Sequence, residues 1–431
     1  MEMQSWSFVI FVLLSVLLYW LAVPQRFRPH FLLAISLGYY FTTSIPFGLF
    51  LLMYLYGMYV VGILIDTAKT QKGRKAWMIV GIIVALVILY FFKSRLTLIK
   101  LFFLLFGLGG AKTAAAIAFR LGIPVGISYF TFRAIHYLVE VYRGKEVRAT
   151  PLEFFLYVTF FPTMVSGPIH RFYQIGKEKA EDAFGLQLRG ETRTPRFNAD
   201  DISYGLWRLF CGVVKKFVIA EFFMKLAEPM MTKSGLMPTT SGSMLWFAGN
   251  AYFAYLYIDF SAYSDMAIGL SRLFGFRVME NFNWAILAPN LRDFWRRWHI
   301  SLTNFVMNYV YFPLGGGRKG EFRTDVNAAI TIMLVSLWHN INTSMFLWGI
   351  WEGFGLIVFR HYAKLKAKMW PDHQPTWWGK VIGICMVWTW HCIGWPIFHH
   401  PTNVAFVYYL KMFPFLQYLF PAVGRLMNLG G

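Results

Sequence analysis

The sequence predicts an all-α integral membrane protein with several spans. Of its 431 residues, 57% are hydrophobic and 14% are charged, whereas a soluble domain carries about 25% charged residues. Apolar runs rich in Leu, Ile, Phe and Val recur along the chain, and a span needs roughly 20 such residues. Lipid offers the backbone no hydrogen-bond partners, so a span must be a helix or part of a closed barrel. Because the runs are continuous rather than alternating, we predict about ten to twelve transmembrane or re-entrant helices.

The formal net charge of +20 indicates membrane topology. In a soluble protein this charge would suggest nucleic-acid binding, but Lys and Arg also collect in the cytoplasmic loops of membrane proteins. We therefore expect no nucleic-acid partner. The basic loop 66–75 is predicted to be cytoplasmic, and counting back over three spans puts the N-terminus outside. The three cysteines fit no metal-binding or redox spacing, so we predict no metal site.

The chain reads as one membrane domain covering residues 1–431. Its N-terminus lacks the basic region and cleavage site of a secretory signal, so the first span, 7–23, is expected to be retained. The longest polar stretch, 173–201, mixes both charge signs and is predicted to be a cytoplasmic loop or short amphipathic helix. The other apolar runs lie near 31–44, 46–65, 77–93, 98–119, 123–139, 152–168, 202–227, 244–260, 262–276, 326–338, 343–359, 380–398 and 403–420.

His339 ends one of these apolar runs and is a candidate general base. Ionisable groups at membrane depth are costly, which makes each of them a candidate functional site. The pKa of a neutral histidine lies close to working pH, so it can take a proton. A core histidine bonded to a neighbouring carbonyl or to Asn340 explains the same pattern, and spacing alone slightly favours that structural role. Trp338 beside it is either an interfacial anchor or part of a pocket wall.

The segment DFWRRWHIS contains His299 and two arginines, Arg296 and Arg297. In a continuous helix, Asp293 and Arg297 share one face, and so do Trp295 and His299. An ion pair with Asp293 would lower the cost of burying the arginine. The segment is either an interfacial helix that meets lipid headgroups or a cationic wall for an anionic substrate such as a phosphate.

Two further polar stretches favour structural roles. Asp259 and Asp265 stand in an otherwise apolar helical segment, YIDFSAYSDMAIG, where carboxylates usually pair with Arg or Lys from another helix. A catalytic carboxylate is the alternative. The stretch PLGGGRKG, 313–320, lacks the spacing of a phosphate-binding loop, so we predict a turn between helices.

Taken together, these stretches resemble the membrane-bound O-acyltransferase (MBOAT) family. The resemblance covers most of the chain and is strongest for the bacterial branch that includes the alginate O-acetyltransferase membrane subunit and the membrane protein of teichoic-acid D-alanylation. The matching segments are IPVGISYFTFRAIHYLVEVYRG at 123–144, FFPTMVSGPIHRF at 160–172, LFCGVVKKFVIA at 209–220, YIDFSAYSDMAIGLSRLFGF at 257–276, ENFNWAILAPNLRDFWRRWHISLTNFVMNYVYFPLGGGR at 280–318 and LWHN at 337–340.

The resemblance implies an acyl transfer at histidines that share a central tunnel. The family's hallmark histidine falls on His339, which becomes the favoured general base, and the histidine of its Trp-x-x-Trp-His segment falls on His299. Two positions depart from the family pattern: Asn340 replaces a glycine, and Glu352 replaces a histidine in a Trp-Gly-x-x-His-Gly setting. Substrate-binding roles are predicted for Trp295, Arg296, Arg297, Trp298, Trp338, Asn340 and Glu352, and structural roles for Asp259, Asp265 and Asp293.

The expected activity is transfer of an acyl group, acetyl in the first place, from a cytoplasmic thioester to an extracytoplasmic polysaccharide or cell-wall polymer. The resemblance implies acetyl-CoA as donor, or a thioester on an acyl carrier protein, and no bound cofactor. The expected partners are the lipid bilayer and an esterase-like extracytoplasmic protein that receives the acyl group. The expected location is the bacterial inner membrane, with several spans.

Three alternatives remain open at this point. The first is D-alanyl transfer from a carrier protein to teichoic-acid-type polymers. The second is a transporter of acyl groups or protons without transfer chemistry, although no inverted repeat is visible. The third is a degenerate family member that acts as a scaffold, which the retained His299 and His339 argue against.

Overall fold

In the computed structural model, the described part of the chain is helical and contains no strand. It comprises residues 5–106, 113, 116–117, 122–144, 148–174, 182–191, 195–232, 239–372, 374 and 376–416. The α-helices of this part are α1 Trp6–Leu21, α2 Arg28–Phe41, α3 Ile45–Thr67, α4 Gln71–Phe106, α5 Ile127–Tyr142, α6 Pro151–Thr159, α7 Phe161–Met164, α8 Phe184–Arg189, α9 Ala199–Val214, α10 Glu221–Met231, α11 Gly242–Leu273, α12 Leu291–Arg297, α13 Ile300–Val306, α14 Glu321–His339, α15 Thr343–Met369, α16 Trp377–His399 and α17 Thr402–Met412. Short π-helical segments follow α9 and α13, at Lys215–Ala220 and Met307–Tyr311. The predicted all-α class is confirmed.

Among the described residues, three helices are long and apolar enough to cross a membrane: α3, α4 and α16. Helix α4 has 36 residues and is therefore roughly 54 Å long, well beyond the roughly 30 Å of a bilayer's hydrocarbon core. Other helices are much shorter, and α12 and α13 have seven residues each. Short, broken helices at membrane depth are tolerated where protein surrounds them.

The chain divides into two compact units. The first consists of residues 1–210 and 264–279, and the second of residues 211–263 and 280–431. Helix α11 contributes its first part to the second unit and its last part to the first. All the histidines and tryptophans predicted for the site belong to the second unit.

Helix α5 lies at the core of the first unit, where it is buried almost throughout. Its Arg133 is fully buried and donates hydrogen bonds to the carbonyls of Val158 and Thr163. Pro162 has no N–H to donate to the Val158 carbonyl, so the guanidinium supplies the missing donor. The apolar run predicted at 152–168 is consequently broken at Phe160 into α6 and α7.

Helix α11 joins two predicted runs, 244–260 and 262–276, into one helix. Ser261, the polar residue between the two apolar runs, lies inside this helix, as expected for the helical segment YIDFSAYSDMAIG. The Ser261 hydroxyl donates to the carbonyl of Ile258, 3.1 Å away, so the helix itself satisfies this polar side chain.

Helices α14 and α15 form a hairpin in the second unit, joined by residues 340–342. The Asn342 side chain caps α15 by accepting from the Met345 N–H at 2.8 Å. Helix α16 packs closely on α15 at Gly355, where an added Cβ would stand 2.4 Å from the Trp390 ring. Only glycine allows this approach.

The stretch 313–320 is a turn, as predicted. Gly315 and Gly316 have φ values of 109° and 57°, which glycine adopts without strain. The Asn327 side chain holds the turn by donating to the Gly316 carbonyl at 2.9 Å.

The polar stretch 173–201 is described at 173–174, 182–191 and 195–201, and its middle forms α8. Gln187 of α8 is fully buried and exchanges two hydrogen bonds with the backbone of Arg277, at 2.9 and 2.8 Å. The short helix is therefore anchored in the first unit.

Candidate active site

The backbone changes direction at His299. Helix α12 ends at Arg297, Trp298 is extended, and His299 has a left-handed conformation with φ 43° and ψ 53°. For a residue with a Cβ this conformation costs about 1–2 kcal/mol, so the surrounding contacts must hold it. The prediction that Trp295 and His299 share one helical face is therefore wrong, because the helix ends between them.

Asn281 holds His299 in this conformation. Its Oδ1 accepts from the Ser301 N–H at 3.2 Å and from the Ser301 hydroxyl at 2.9 Å, and it lies 3.1 Å from His299 Nδ1. A backbone N–H can only donate, so the shared atom is an acceptor and Nδ1 carries the hydrogen. His299 Nε2 consequently keeps its lone pair, and this buried atom has no hydrogen-bond partner in the described part of the chain.

The rings of His299 and His339 both lie close to the ring of Trp338. The His299 and Trp338 ring centroids are 6.3 Å apart, and those of Trp338 and His339 are 4.6 Å apart. His299 is buried, whereas His339, the last residue of α14, is exposed. We call His299, Trp338 and His339 the two-histidine cluster.

Aromatic rings line both ends of this cluster. The Phe260 ring meets His299 edge-on at 4.8 Å. The Phe398 and Trp348 rings stand 5.3 and 6.1 Å from the His339 ring. The Phe260 ring helps to keep water from the buried His299, and exclusion of water strengthens electrostatic interactions there.

The charged and aromatic residues of α12 differ in their surroundings. Arg297 is half-buried and paired with Asp293 at 2.8 Å, whereas Arg296 is exposed. The half-buried Trp298 stacks on Phe294, with 5.4 Å between the ring centroids. With Arg297 paired to Asp293, the exposed cations of α12 are Arg292 and Arg296, and both are open to an external anion.

The sequence matches a family model over most of its length. The model is described as MBOAT, membrane-bound O-acyltransferase family, and it matches residues 32–398.

The chain belongs to the membrane-bound O-acyltransferase family.

Curated relatives agree with this membership. The probable alginate O-acetylase AlgI of Azotobacter vinelandii is 34% identical over 422 residues, which cover 94% of this chain and 76% of the relative. The protein of the same name from Pseudomonas aeruginosa is 34% identical over 402 residues, covering 92% and 72%. The teichoic acid D-alanyltransferase of Bacillus subtilis is 28% identical over 289 residues, covering 64% and 68%. The resemblance drawn from the motifs is confirmed, and this MBOAT protein is an O-acyltransferase with several membrane spans.

Two further predicted residues of this MBOAT chain lie beside the cluster. The half-buried Trp295 has its ring 6.3 Å from Trp348, which in turn contacts His339. Asn340 directly follows His339 in an extended conformation and is exposed.

Asp259 and Asp265 of this MBOAT chain each lie against a cation. Lys216, in the π-helical segment after α9, pairs with Asp259. Arg208 pairs with Asp265 within the first unit. Such pairs lower the cost of burying charge.

Glu352 faces a histidine that the motif analysis did not select. Glu352 Oε1 lies 3.4 Å from His391 Nδ1, and both residues are almost completely buried. His391 stands in the middle of the apolar run 380–398, and its ionisable side chain in that setting was the signal available in the sequence.

Proposed function

We propose that this MBOAT protein moves an acetyl group from a cytoplasmic thioester to a hydroxyl group of an extracytoplasmic polysaccharide or cell-wall polymer. The arrangement of His299 and His339 around Trp338 is the observation that carries the proposal. It offers an exposed imidazole to the substrates, with a second imidazole nearby whose Nε2 lone pair is uncommitted.

His339 acts as the general base. It accepts the proton of the attacking hydroxyl while that oxygen bonds to the thioester carbonyl carbon. The C–S bond then breaks, and the proton passes to the leaving sulfur, so an ester and a free thiol are formed. His299 Nε2 can only accept a hydrogen bond, so it stabilises the positive charge that develops on His339 when that residue takes the proton. Arg296 meets the phosphates of acetyl-CoA or of a phosphopantetheinyl carrier.

The names of the relatives support the acceptor class. Two of them are described as probable alginate O-acetylases, which are more similar to this chain than the teichoic acid D-alanyltransferase is. Acetyl transfer to a polysaccharide is therefore the first candidate. D-alanyl transfer from a carrier protein to a teichoic-acid-type polymer is the second, favoured by that more distant relative.

The setting of the reaction is part of the proposal. The protein lies in a bacterial inner membrane, and an esterase-like extracytoplasmic partner receives the acyl group before the polymer does.

A comparison of His339→Ala with wild type tests the proposal. Both are expressed with the products of neighbouring genes, and ester-linked acyl groups on the surface polymer are quantified. The expected result is loss of acylation at equal abundance in the membrane, with mass analysis of the released acid identifying acetate. His361→Ala is the matched control. This exposed histidine belongs to α15, the second helix of the same hairpin, and pairs with Asp325. Unchanged acylation in His339→Ala would contradict the assignment of the base.

Release of D-alanine instead of acetate would replace the first candidate with the second. Binding of an acylated carrier protein to the cytoplasmic face gives independent evidence on the donor.

A further inference from the structure

Glu352 and His391 form a buried pair with unused hydrogen-bonding capacity. Their exposed fractions are 0% and 2%. They approach each other at 3.4 Å, between Glu352 Oε1 and His391 Nδ1. Both carboxyl oxygens and both ring nitrogens lack a hydrogen-bond partner among the described residues. A purely structural polar pair is normally satisfied, since each unsatisfied buried group costs about 1–3 kcal/mol.

The indole of Trp348 borders the same space. Trp348 is one helical turn before Glu352 on α15, and its buried Nε1–H also lacks a partner in the described chain. A Cβ added to Gly394, one turn after His391 on α16, would stand 3.6 Å from that Nε1. The indole N–H, the carboxyl group and the imidazole therefore converge between α15 and α16.

Hydrogen-bond donors and acceptors without a partner in the described chain occur together between α15 and α16. A ligand that satisfies both kinds must itself donate and accept, as water and hydroxyl groups do. The site is polar on these three sides and otherwise aromatic: Phe253, Phe294 and Trp395 rings lie 4.9, 4.1 and 5.9 Å from the His391 ring.

The pair is linked to the two-histidine cluster through Trp348, whose ring meets that of His339 edge-on at 6.1 Å. Of the other helices packed here, α11 and α12 turn Phe253 and Phe294 toward His391. The acid of α12, Asp293, is engaged with Arg297, and Asp259 of α11 with Lys216. His339 is thus the ionisable group that α14 presents on this side.

We propose that Glu352 and His391 are positioning residues that hold water against Trp348 and relay protons to and from His339. This rests on the proposed function. The proton that His339 takes from the hydroxyl passes through the water to the pair and returns to the thiolate sulfur after the C–S bond breaks. Each cycle leaves the pair with the number of protons it had at the start.

The test uses membrane vesicles that contain the full chain and its partner proteins, with acetyl-CoA as donor. Release of free thiol is followed from pH 5 to 9. Glu352→Gln keeps the shape of the side chain and removes its ability to ionise. We expect the rate at neutral pH to fall about 100-fold, the lower end of the effect of a proton-transfer group, and the pH profile to lose one limb. His391→Gln should do the same, and the double variant should be no slower than either single one.

Glu140→Gln is the matched control, because Glu140 is also buried and is paired with Arg143 at 2.8 Å. Its pH profile should keep both limbs. Glu352→His restores an ionisable group at the same position and should retain a rate within about tenfold of wild type.

An unchanged rate and pH profile in Glu352→Gln would overturn the relay. If the variant has little folded protein, Glu352→His decides: a wild-type profile supports the relay, and a profile without one limb contradicts it. Failure of the proposed function is recognised separately, because His339→Ala would then retain full thiol release.

Discussion

At the scale of single residues, His299 combines an unfavourable backbone conformation with a buried side chain that is hydrogen-bonded to Asn281. Its left-handed φ of 43° is stabilised by contacts of Asn281, which lies 18 residues earlier in the chain. Neither the local sequence nor helical periodicity contains this information, and periodicity alone therefore places Trp295 and His299 on one helical face. The selection of His299 and His339 rested on motifs, which give residue types in order and do not depend on the local conformation.

Two substitutions at position 299 should separate the backbone from the side chain. His299→Gly accepts the left-handed φ but loses the buried imidazole, so the cavity should lower its free energy of unfolding by about 2–4 kcal/mol. His299→Val places a β-branched residue there and should be at least about 2 kcal/mol less stable than the glycine variant. Thermal unfolding in detergent measures both. Equal loss of stability in the two variants would contradict the importance of the backbone conformation.

The acyl-transfer activity of the same two variants is a second prediction. Both should be strongly impaired, because neither provides the Nε2 lone pair, and thiol release in vesicles measures this. Full activity of the well-folded glycine variant would exclude His299 from the reaction.

At the scale of helices, close approaches explain the positions of several glycines. On α16, a Cβ at Gly383 would stand 2.3 Å from the Pro289 carbonyl oxygen, and backbone cannot move aside as a flexible side chain can. Gly383→Ala should therefore lower the free energy of unfolding by about 1–3 kcal/mol. The control is Gly57→Ala on α3, where nothing lies within 4 Å of the added Cβ, so the variant should be neutral or more stable by up to about 1 kcal/mol. A Gly383→Ala protein as stable as the control would contradict the observed contact.

The Lys216–Asp259 pair gives a prediction about charge inside a helical protein. Asp259→Leu leaves the ammonium group without its counter-charge and should be destabilising by about 1–3 kcal/mol, less than for a fully buried pair because both side chains are partly exposed. The double variant with Lys216→Met should recover much of this loss. Thermal unfolding of the four proteins forms a double-mutant cycle, and additive effects would show that the two groups are not coupled.

A helix feature could be predicted when the residues that cause it are close together in the sequence. Composition and continuous apolar runs identified them as helices, because that preference is local. Pro162 is a local cause of the break at Phe160, but Arg133, which satisfies the carbonyl left without a donor, belongs to another helix. The π-helical segment at 215–220 likewise lies where Lys216 pairs with Asp259, 43 residues later. These partners are distant in sequence and were invisible to a reading of single segments.

At the scale of the whole molecule, the surplus of basic residues predicts orientation. Loop 66–75 should be cytoplasmic and the N-terminus extracytoplasmic. The three native cysteines are first replaced by serine or alanine, and single cysteines are introduced at Ser5 and Thr70. An impermeant thiol reagent added to whole spheroplasts should label position 5 and leave position 70 unlabelled until the membrane is opened. The reverse pattern would contradict the orientation.

The Asn281 side chain also affects what happens in each turnover. Because one amide oxygen dictates which nitrogen of His299 is protonated, that choice is made during folding and is not repeated when substrate arrives. A polar group already oriented for a developing charge contributes without reorganisation free energy at the moment of reaction. The reaction rate therefore depends on correct folding of segment 281–301. Slow or incomplete folding of this segment would reduce turnover without altering any atom that touches substrate.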